Sequence, residues 1–331
     1  MKTAASILAL AVAVRAHYTF DKLQVNGETV GQSWQYIREH TRGYMPTKGQ
    51  QILENDFRCQ PGGDSGANTD VYTVGTGDKV MFLGAFGMTS IEHPGPAQVY
   101  MSASSDVKAD DGSGDWFKVR DALFCSSPEN DGALKNAWCT WGQPGIEFTV
   151  PDTIPDGEYL VRVEHIPLHG AQGTSTGAEY YYSCAQLKVE GSTVDAMPAF
   201  DTIKIPGGVQ PDDEAVKFNI WTQVKEYPYT VGPELVPGGT TWGSADGSSK
   251  EVVVKGGSAP AAASGSSSSS AGSSSSSSAE NTTTIAQPTN SENTLTVEPV
   301  DSSANQGGAA GSGKDCDVQY VERSVRRSFS A

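Results

Sequence analysis

The chain has 331 residues, with 39 acidic side chains against 23 Lys and Arg, a formal charge of −16. That charge argues against nucleic acid or an anionic membrane as partner and leaves a neutral polymer open. The length allows one large domain or two small ones.

In chain order, Lys2 precedes the apolar run AASILALAVAV, and Val14-Arg15-Ala16 supplies small or compact residues. Residues 1–16 read as a secretory signal peptide cut after Ala16. The run is too short to span a bilayer, and no later segment is apolar enough, so the product is expected to be secreted and extracellular. Cutting there makes His17 the first residue. A terminal histidine offers its α-amine and its Nδ1 to one metal, and a second imidazole opposite completes three nitrogens in a plane. That set suits Cu(II) over hard cations, whereas zinc prefers a tetrahedron. A peptidase indifferent to the residue it exposes explains His17 alone as simply, so other ligands must decide.

Leu23-Gln24-Val25 runs into the turn pair Asn26-Gly27. The runs DVYTV, KVMFLGAF, AQVYMS, IEFTV, GEYLVRVEHI and AEYYYSCAQLKVE follow, punctuated by Gly, Pro and Asp-Gly, without helical periodicity. The pattern predicts an all-β fold, an immunoglobulin/fibronectin-like antiparallel β-sandwich with long loops. Segments near 30–55 and 104–145 exceed ordinary connections and are expected to be functional. The domain is expected to span 17–243. Beyond it, GGSAPAAASGSSSSSAGSSSSSS is a flexible linker, and residues 244–331 read as a disordered tail without a binding module. Asn281-Thr282-Thr283 is a glycosylation sequon.

His93 lies in SIEHPGPAQVYMS, where Pro94 and Pro96 stiffen the loop and Gly95 removes bulk beside it. It is the candidate second imidazole. In GAEYYYSCAQLKVE, Tyr180 and Tyr182 share one strand face and Tyr181 takes the other; packing is the ordinary fate of such tyrosines. Five cysteines in an oxidising compartment imply two bridges among Cys59, Cys125, Cys139 and Cys184, with three possible pairings and Cys316 left over.

His17, HPGPAQVYMS, GEYLVRVEHIPLHGAQ and AEYYYSCAQLKVEG, with DFRCQPG, GDWFKV and AWCTWG, resemble in order and spacing the fungal lytic polysaccharide monooxygenases of auxiliary activity family nine. The resemblance covers roughly residues 17–235. It implies one copper ion held by a brace of His17 and His93, with Tyr181 axial and His169 hydrogen-bonding towards bound oxygen species. His165 and His40 receive no ligand role. Many members carry glutamine where this chain has Glu179; an ionised glutamate only accepts hydrogen bonds, and a proton-shuttling role is expected of it. The resemblance also pairs Cys59 with Cys184 and Cys125 with Cys139.

Members meet polysaccharide with a flat aromatic face, and Trp34, Tyr36 and Tyr44 are the candidates for stacking on sugar. Relatives often place an aromatic after a Gly-Pro pair; here VGPELVPGG puts Leu235 and Val236 there, so one platform is missing. The implied activity is oxidative cleavage of β-1,4-glucan, cellulose or a related hemicellulose, by hydroxylation at C1 or C4. It uses O2 or H2O2 and an external electron donor, and the protein acts as a monomer. The rivals are a non-catalytic copper-binding cell-wall protein with the same brace, and a hydrolase using two carboxylates. No such carboxylate pair stands out in the sequence.

Overall fold

A computed structural model of the chain describes residues 17–254 apart from 86, 87 and 89. The expected signal peptide, Asn281, Cys316 and most of the expected tail lie outside the described residues. Short runs rich in Val, Ile, Tyr and Phe, the residues that fit a pleated surface, form twelve strands among them. They are β1 (Phe20–Val25), β2 (Glu28–Val30), β3 (Thr47–Lys48), β4 (Tyr72–Gly75), β5 (Lys79–Gly84) and β6 (Ala97–Ser104). Then come β7 (Phe117–Ala122), β8 (Gly145–Thr149), β9 (Gly157–His165), β10 (Glu179–Glu190), β11 (Leu235–Trp242) and β12 (Glu251–Val253). One helical turn, α1 (Glu214–Lys217), precedes β11.

A four-stranded sheet runs β2-β1-β5-β8, and an eight-stranded sheet runs β12-β11-β7-β6-β9-β10-β3 with β4 also beside β10. Pairing is antiparallel except where β4 meets β10 and β11 meets β7. The sheets stack as a sandwich: Phe20, Leu23, Phe82 and Phe148 of the small sheet share one core with Val99, Val161, Val163 and Leu187 of the large one. Because side chains alternate along a strand, Tyr100, Leu160, Tyr180 and Tyr182 emerge on the far face of the large sheet. There they pack under long loops carrying Phe57, Trp116, Trp138 and Tyr227.

The large sheet is therefore buried on both faces, and the polar residues of its outer face must find partners inside the protein. Arg162 and Glu164 are fully buried and paired at 2.6 Å. Arg162 also donates to the Arg58 carbonyl at 2.9 Å and lies between the rings of Phe57 and Tyr182, 4.7 and 4.5 Å from their centroids. Lys118 pairs with Asp121 at 3.0 Å and donates to the Val231 carbonyl at 3.0 Å. These contacts clamp the loops onto the sheet.

The domain boundary expected at 243 falls short. β12 pairs with β11 through Thr240–Val253, Thr241–Val252 and Trp242–Glu251. A turn at Gly247 (φ 75°) reverses the chain, and the Ser244 hydroxyl donates to Asp246 at 2.8 Å within it. The strand is only three residues long and follows a polar, Ser-rich stretch, which hides it from a composition reading. Among the described residues no helix is long and apolar enough to cross a membrane.

Cys59 bridges Cys184, and Cys125 bridges Cys139. The first links residues 125 apart and ties a loop to β10, three positions from Tyr181. A loop of that length restricts the unfolded chain by about 4–5 kcal/mol in the chain-entropy account. Replacing Cys59 and Cys184 together by Ala should lower the unfolding free energy by about that amount in a denaturant titration. A loss below about 1 kcal/mol would contradict the role given to this bridge.

Candidate metal centre

Three strand ends meet at one level of the large sheet: Ala97 of β6 pairs with His165 of β9, and His165 pairs with Tyr181 of β10. The segments leading into or out of these ends carry the histidines. His93 lies just ahead of β6, and its loop is zipped onto the chain leaving β9. Ile166 N–H donates to the Pro96 carbonyl at 2.9 Å and Leu168 N–H to the Pro94 carbonyl at 2.8 Å. A Cβ on Gly95 would stand 2.0 Å from the Ile166 carbonyl oxygen, so only glycine admits this approach. His169 follows on the same chain. The base of its loop is closed by Gly177, where a Cβ would stand 1.9 Å from the Gly170 carbonyl oxygen.

His17 is carried in by Tyr18 and Thr19. The Tyr18 ring lies flat on Tyr181 at 4.3 Å between centroids, with 18° between planes. Its hydroxyl donates to Nδ1 of the buried His165. His165 Nε2 in turn lies 3.2 Å from the Gly95 carbonyl, which fixes the tautomer by making Nε2 the donor. Burial pushes the His165 pKa down to about 3, so the ring stays neutral. Thr19 Oγ1 pairs with Nε2 of His40 at 2.9 Å, anchoring the same segment to the loop that bears Tyr44.

The result is a cluster of rings at the surface. His17 and His93, both half-buried, have centroids 6.1 Å apart at 54°, and Tyr181 lies 6.2 Å from one and 5.7 Å from the other. His169 stacks on His93 at 4.8 Å, and the exposed Tyr44 stacks near His17 at 6.3 Å. Two imidazole–metal bonds of about 2.0–2.1 Å plus two ring radii account for a centroid separation of this size. Among the described residues no group of three His, Cys, Asp or Glu gathers for a metal. A metal held by the pair would need a further donor, and the amine of His17 would be one if the chain were cut after Ala16. Two imidazoles, an amine and a phenol are a set that copper accepts and calcium or magnesium does not.

Beneath the rings lies a buried carboxylate. Tyr181 donates its hydroxyl to Glu179 Oε2 at 2.8 Å, and Lys48 pairs with Oε1 at 2.6 Å. His169 Nε2 stands 3.7 Å from Oε2. Lys48 and Glu179 face each other across the β3–β10 pair, an arrangement that itself favours opposite charges. Burial pushes the Glu179 pKa up, but the hydrogen bonds from Lys48 and Tyr181 and the charges of His169 and Lys48 outweigh it, leaving it below the ordinary value. Burial and the neighbouring Glu179 charge push Tyr181 far up, so it remains a phenol. Burial likewise lowers His169.

His17, His93, Tyr181, His169, Glu179 and Tyr44 thus come together. Trp34 and Tyr36 do not join them as exposed platforms: both are half-buried against the core, Trp34 edge-on to His40 at 5.2 Å and Tyr36 edge-on to Tyr72 at 4.9 Å. Their loop folds back on the small sheet, with Trp34 N–H donating to the Asp21 carbonyl at 2.8 Å. Four neighbours escape the sequence reading. Tyr18 and His165 look like ordinary strand residues, and Lys48 meets Glu179 only through pairing across the fold. Trp221, 58% exposed, donates its indole N–H to the His169 carbonyl at 2.8 Å. In the sequence it stands between Ile220 and Thr222, in the run NIWTQ, with nothing local to mark it.

Fold and site together define a class, a β-sandwich with a surface centre of nitrogen donors over a buried tyrosine. Residues 17–229 match the model of Auxiliary Activity family 9 (formerly GH61). The chain is 45% identical over 238 residues to "AA9 family lytic polysaccharide monooxygenase G" of Aspergillus tamarii, covering 71% of this chain and 70% of that one. It is 43% identical to "AA9 family lytic polysaccharide monooxygenase A" of Aspergillus fumigatus, covering 73% and 82%. Among solved structures it resembles a cellulose-active polysaccharide monooxygenase from M. thermophila, at 26% identity and a TM-score of 0.54, covering 66% and 99%. It shares its fold with a glycoside hydrolase family 61 member from Hypocrea jecorina, at 21% identity and a TM-score of 0.55, covering 66% and 100%. The chain belongs to Auxiliary Activity family 9, a copper-dependent family, and is an oxidoreductase.

The supporting histidine His40 gives a test of this packing. Burial, helped by the Arg42 charge, lowers its pKa from 6.5 to about 4. As pH falls through 6.5 the unfolded chain takes up this proton while the folded one does not, so stability declines until about pH 4. Each unit of separation corresponds to about 1.4 kcal/mol, so the decline from this group totals about 3 kcal/mol. Unfolding of the His40→Gln variant at neutral and acid pH should show a slope flatter by that amount. An unchanged slope would place His40 in a solvated setting.

Proposed function

We propose that the chain, cut after Ala16, holds one copper ion through the amine and Nδ1 of His17 and a ring nitrogen of His93, with Tyr181 at the axial side. With it the protein cleaves a β-1,4-linked glucan, cellulose or a related hemicellulose, oxidatively at C1 or C4. O2 or H2O2 and an external reductant are consumed, and the enzyme works as a secreted monomer. The observation that carries this reading is the convergence of His17, His93 and Tyr181 from three distant parts of the sequence, the two half-buried histidines lying over the buried tyrosine. The family match begins at His17, the residue that cleavage would expose. Copper, when bound, supplies one-electron redox chemistry and a position open to oxygen.

The chain's own residues prepare that position. Tyr181 directs its proton at Glu179, so its oxygen turns lone pairs rather than hydrogen to the site. Its raised pKa keeps it from becoming a charged ligand. Glu179 Oε2 accepts from the Tyr181 hydroxyl and lies 3.7 Å from His169 Nε2, so a proton can be held there between these side chains beneath the His17–His93 pair. Lys48 holds the other carboxylate oxygen, so Glu179 rests ionised and ready to accept. His17, His93 and Tyr44 leave the surface above open to a polymer rather than enclosed in a cleft.

Copper-loaded protein with ascorbate and cellulose should release soluble oligosaccharides with oxidised ends: aldonic acids for C1 attack, ketoaldoses for C4, read by mass spectrometry. Unoxidised sugars formed without copper or reductant would instead indicate a hydrolase, and tight copper binding with no products a non-catalytic copper protein. Glu179→Gln should lower turnover and change its pH profile, because the amide no longer accepts a proton. If rate and profile stay as in the parent, Glu179 is no proton carrier.

A further inference from the structure

Resting on that reading, a second feature of the same face points to the kind of glucan used. A concavity of about 510 Å³, within the range of about 300–1,000 Å³ typical of small-ligand sites, is lined by Trp221, whose indole N–H donates to the His169 carbonyl. Trp221 and Gln223 line one side, and Glu129, Asn130 and Asp131 another, over a floor that includes Pro128 and Ile220. The acidic and amide side chains stand on the loop closed by the Cys125–Cys139 bridge, which holds them in place. Trp221 is the one exposed tryptophan among the described residues, at 58%. Its indole bonds to the carbonyl of His169, whose ring stacks on His93. Trp221 and His169 thus connect the cavity to the ring cluster, while Tyr44 lies on the side of His17.

We propose that this cavity is a saccharide subsite that receives a sugar branch projecting from a glucan backbone lying across the metal centre. A pyranose has an apolar face that stacks on an aromatic ring and a rim of hydroxyls that need polar partners. Trp221 supplies the ring; Asn130 and Gln223 supply amides that donate and accept, and Glu129 and Asp131 supply acceptors. A flat crystalline cellulose face cannot enter a concavity, whereas a side branch on a single chain can. The rest of the surface follows the same logic. Trp34 and Tyr36 pack inward against the core, so neither offers a ring to a flat crystal face.

The test is calorimetric titration of copper-loaded protein, without reductant, with cellotetraose and with the same backbone bearing xylose branches. The parent should bind the branched sugar more tightly than the linear one. Trp221→Ala should weaken binding of the branched sugar about tenfold, bringing it close to the linear one, while Trp221→Phe keeps most of the preference. Asn130→Gly, which suits the left-handed backbone there (φ 55°), should also reduce the preference. Equal binding of the two sugars by the parent, or equal weakening of both by Trp221→Ala, would overturn the subsite. Because no reductant is present, these outcomes are independent of whether oxidised products form, which alone decides the cleavage reading.

Discussion

The alignment of three strand ends at Ala97, His165 and Tyr181 is the constraint on which the site depends. A sheet register is all or nothing, since a slip of one residue turns every side chain to the other face. Such a slip in β10 would send Tyr181 to the loop-covered side and bring Tyr180 or Tyr182 under the histidines. Both faces of β10 are buried, so the register is specified twice over: by the sandwich core on one side and by the Cys59–Cys184 bridge and the loop aromatics on the other. The stacking of Tyr18 on Tyr181 transmits that register to His17. The backbone zipper through Gly95 transmits it to His93 and His169.

Charge beneath the centre is placed just as narrowly. Glu179 is a buried carboxylate that stays ionised because Lys48, directly opposite on β3, and the Tyr181 hydroxyl both bond to it. Removing water from a charge is costly unless it is paired, and here the pairing also orients the Tyr181 phenol. His165, by contrast, is kept neutral by burial and serves as a fixed acceptor for Tyr18. One ionised group and one neutral imidazole, each held by its surroundings, orient the two tyrosines beneath the centre.

Much of this was legible in the sequence because local patterns carry it. The β-run GEYLVRVEHI and the stiff HPGP turn each signal themselves within a few residues. Arg162 and Glu164 show where such reading runs out: by alternation they belong to a solvent face, yet both are buried under loops that only the three-dimensional fold brings there. Lys48 is invisible for the same reason, as its partner lies more than a hundred residues away. Trp34, Tyr36, Tyr44 and Trp221 are all aromatic residues in polar loops, and nothing local tells the inward pair from the outward pair. The strand Glu251–Val253 is too short to stand out against its serine-rich surroundings.

The central claim is that the metal centre is completed by the amine of His17. It is tested most directly by the Cu(II) affinity of the chain beginning at His17 against the otherwise identical chain that retains Ala16. With Ala16 in place the amine becomes a peptide nitrogen, while both imidazoles, Tyr181 and the fold remain. Calorimetry should show tight one-to-one binding for the first and an affinity weaker by at least about a hundredfold, near 3 kcal/mol, for the second. Equal affinities would contradict the account, because the two imidazoles alone would then suffice.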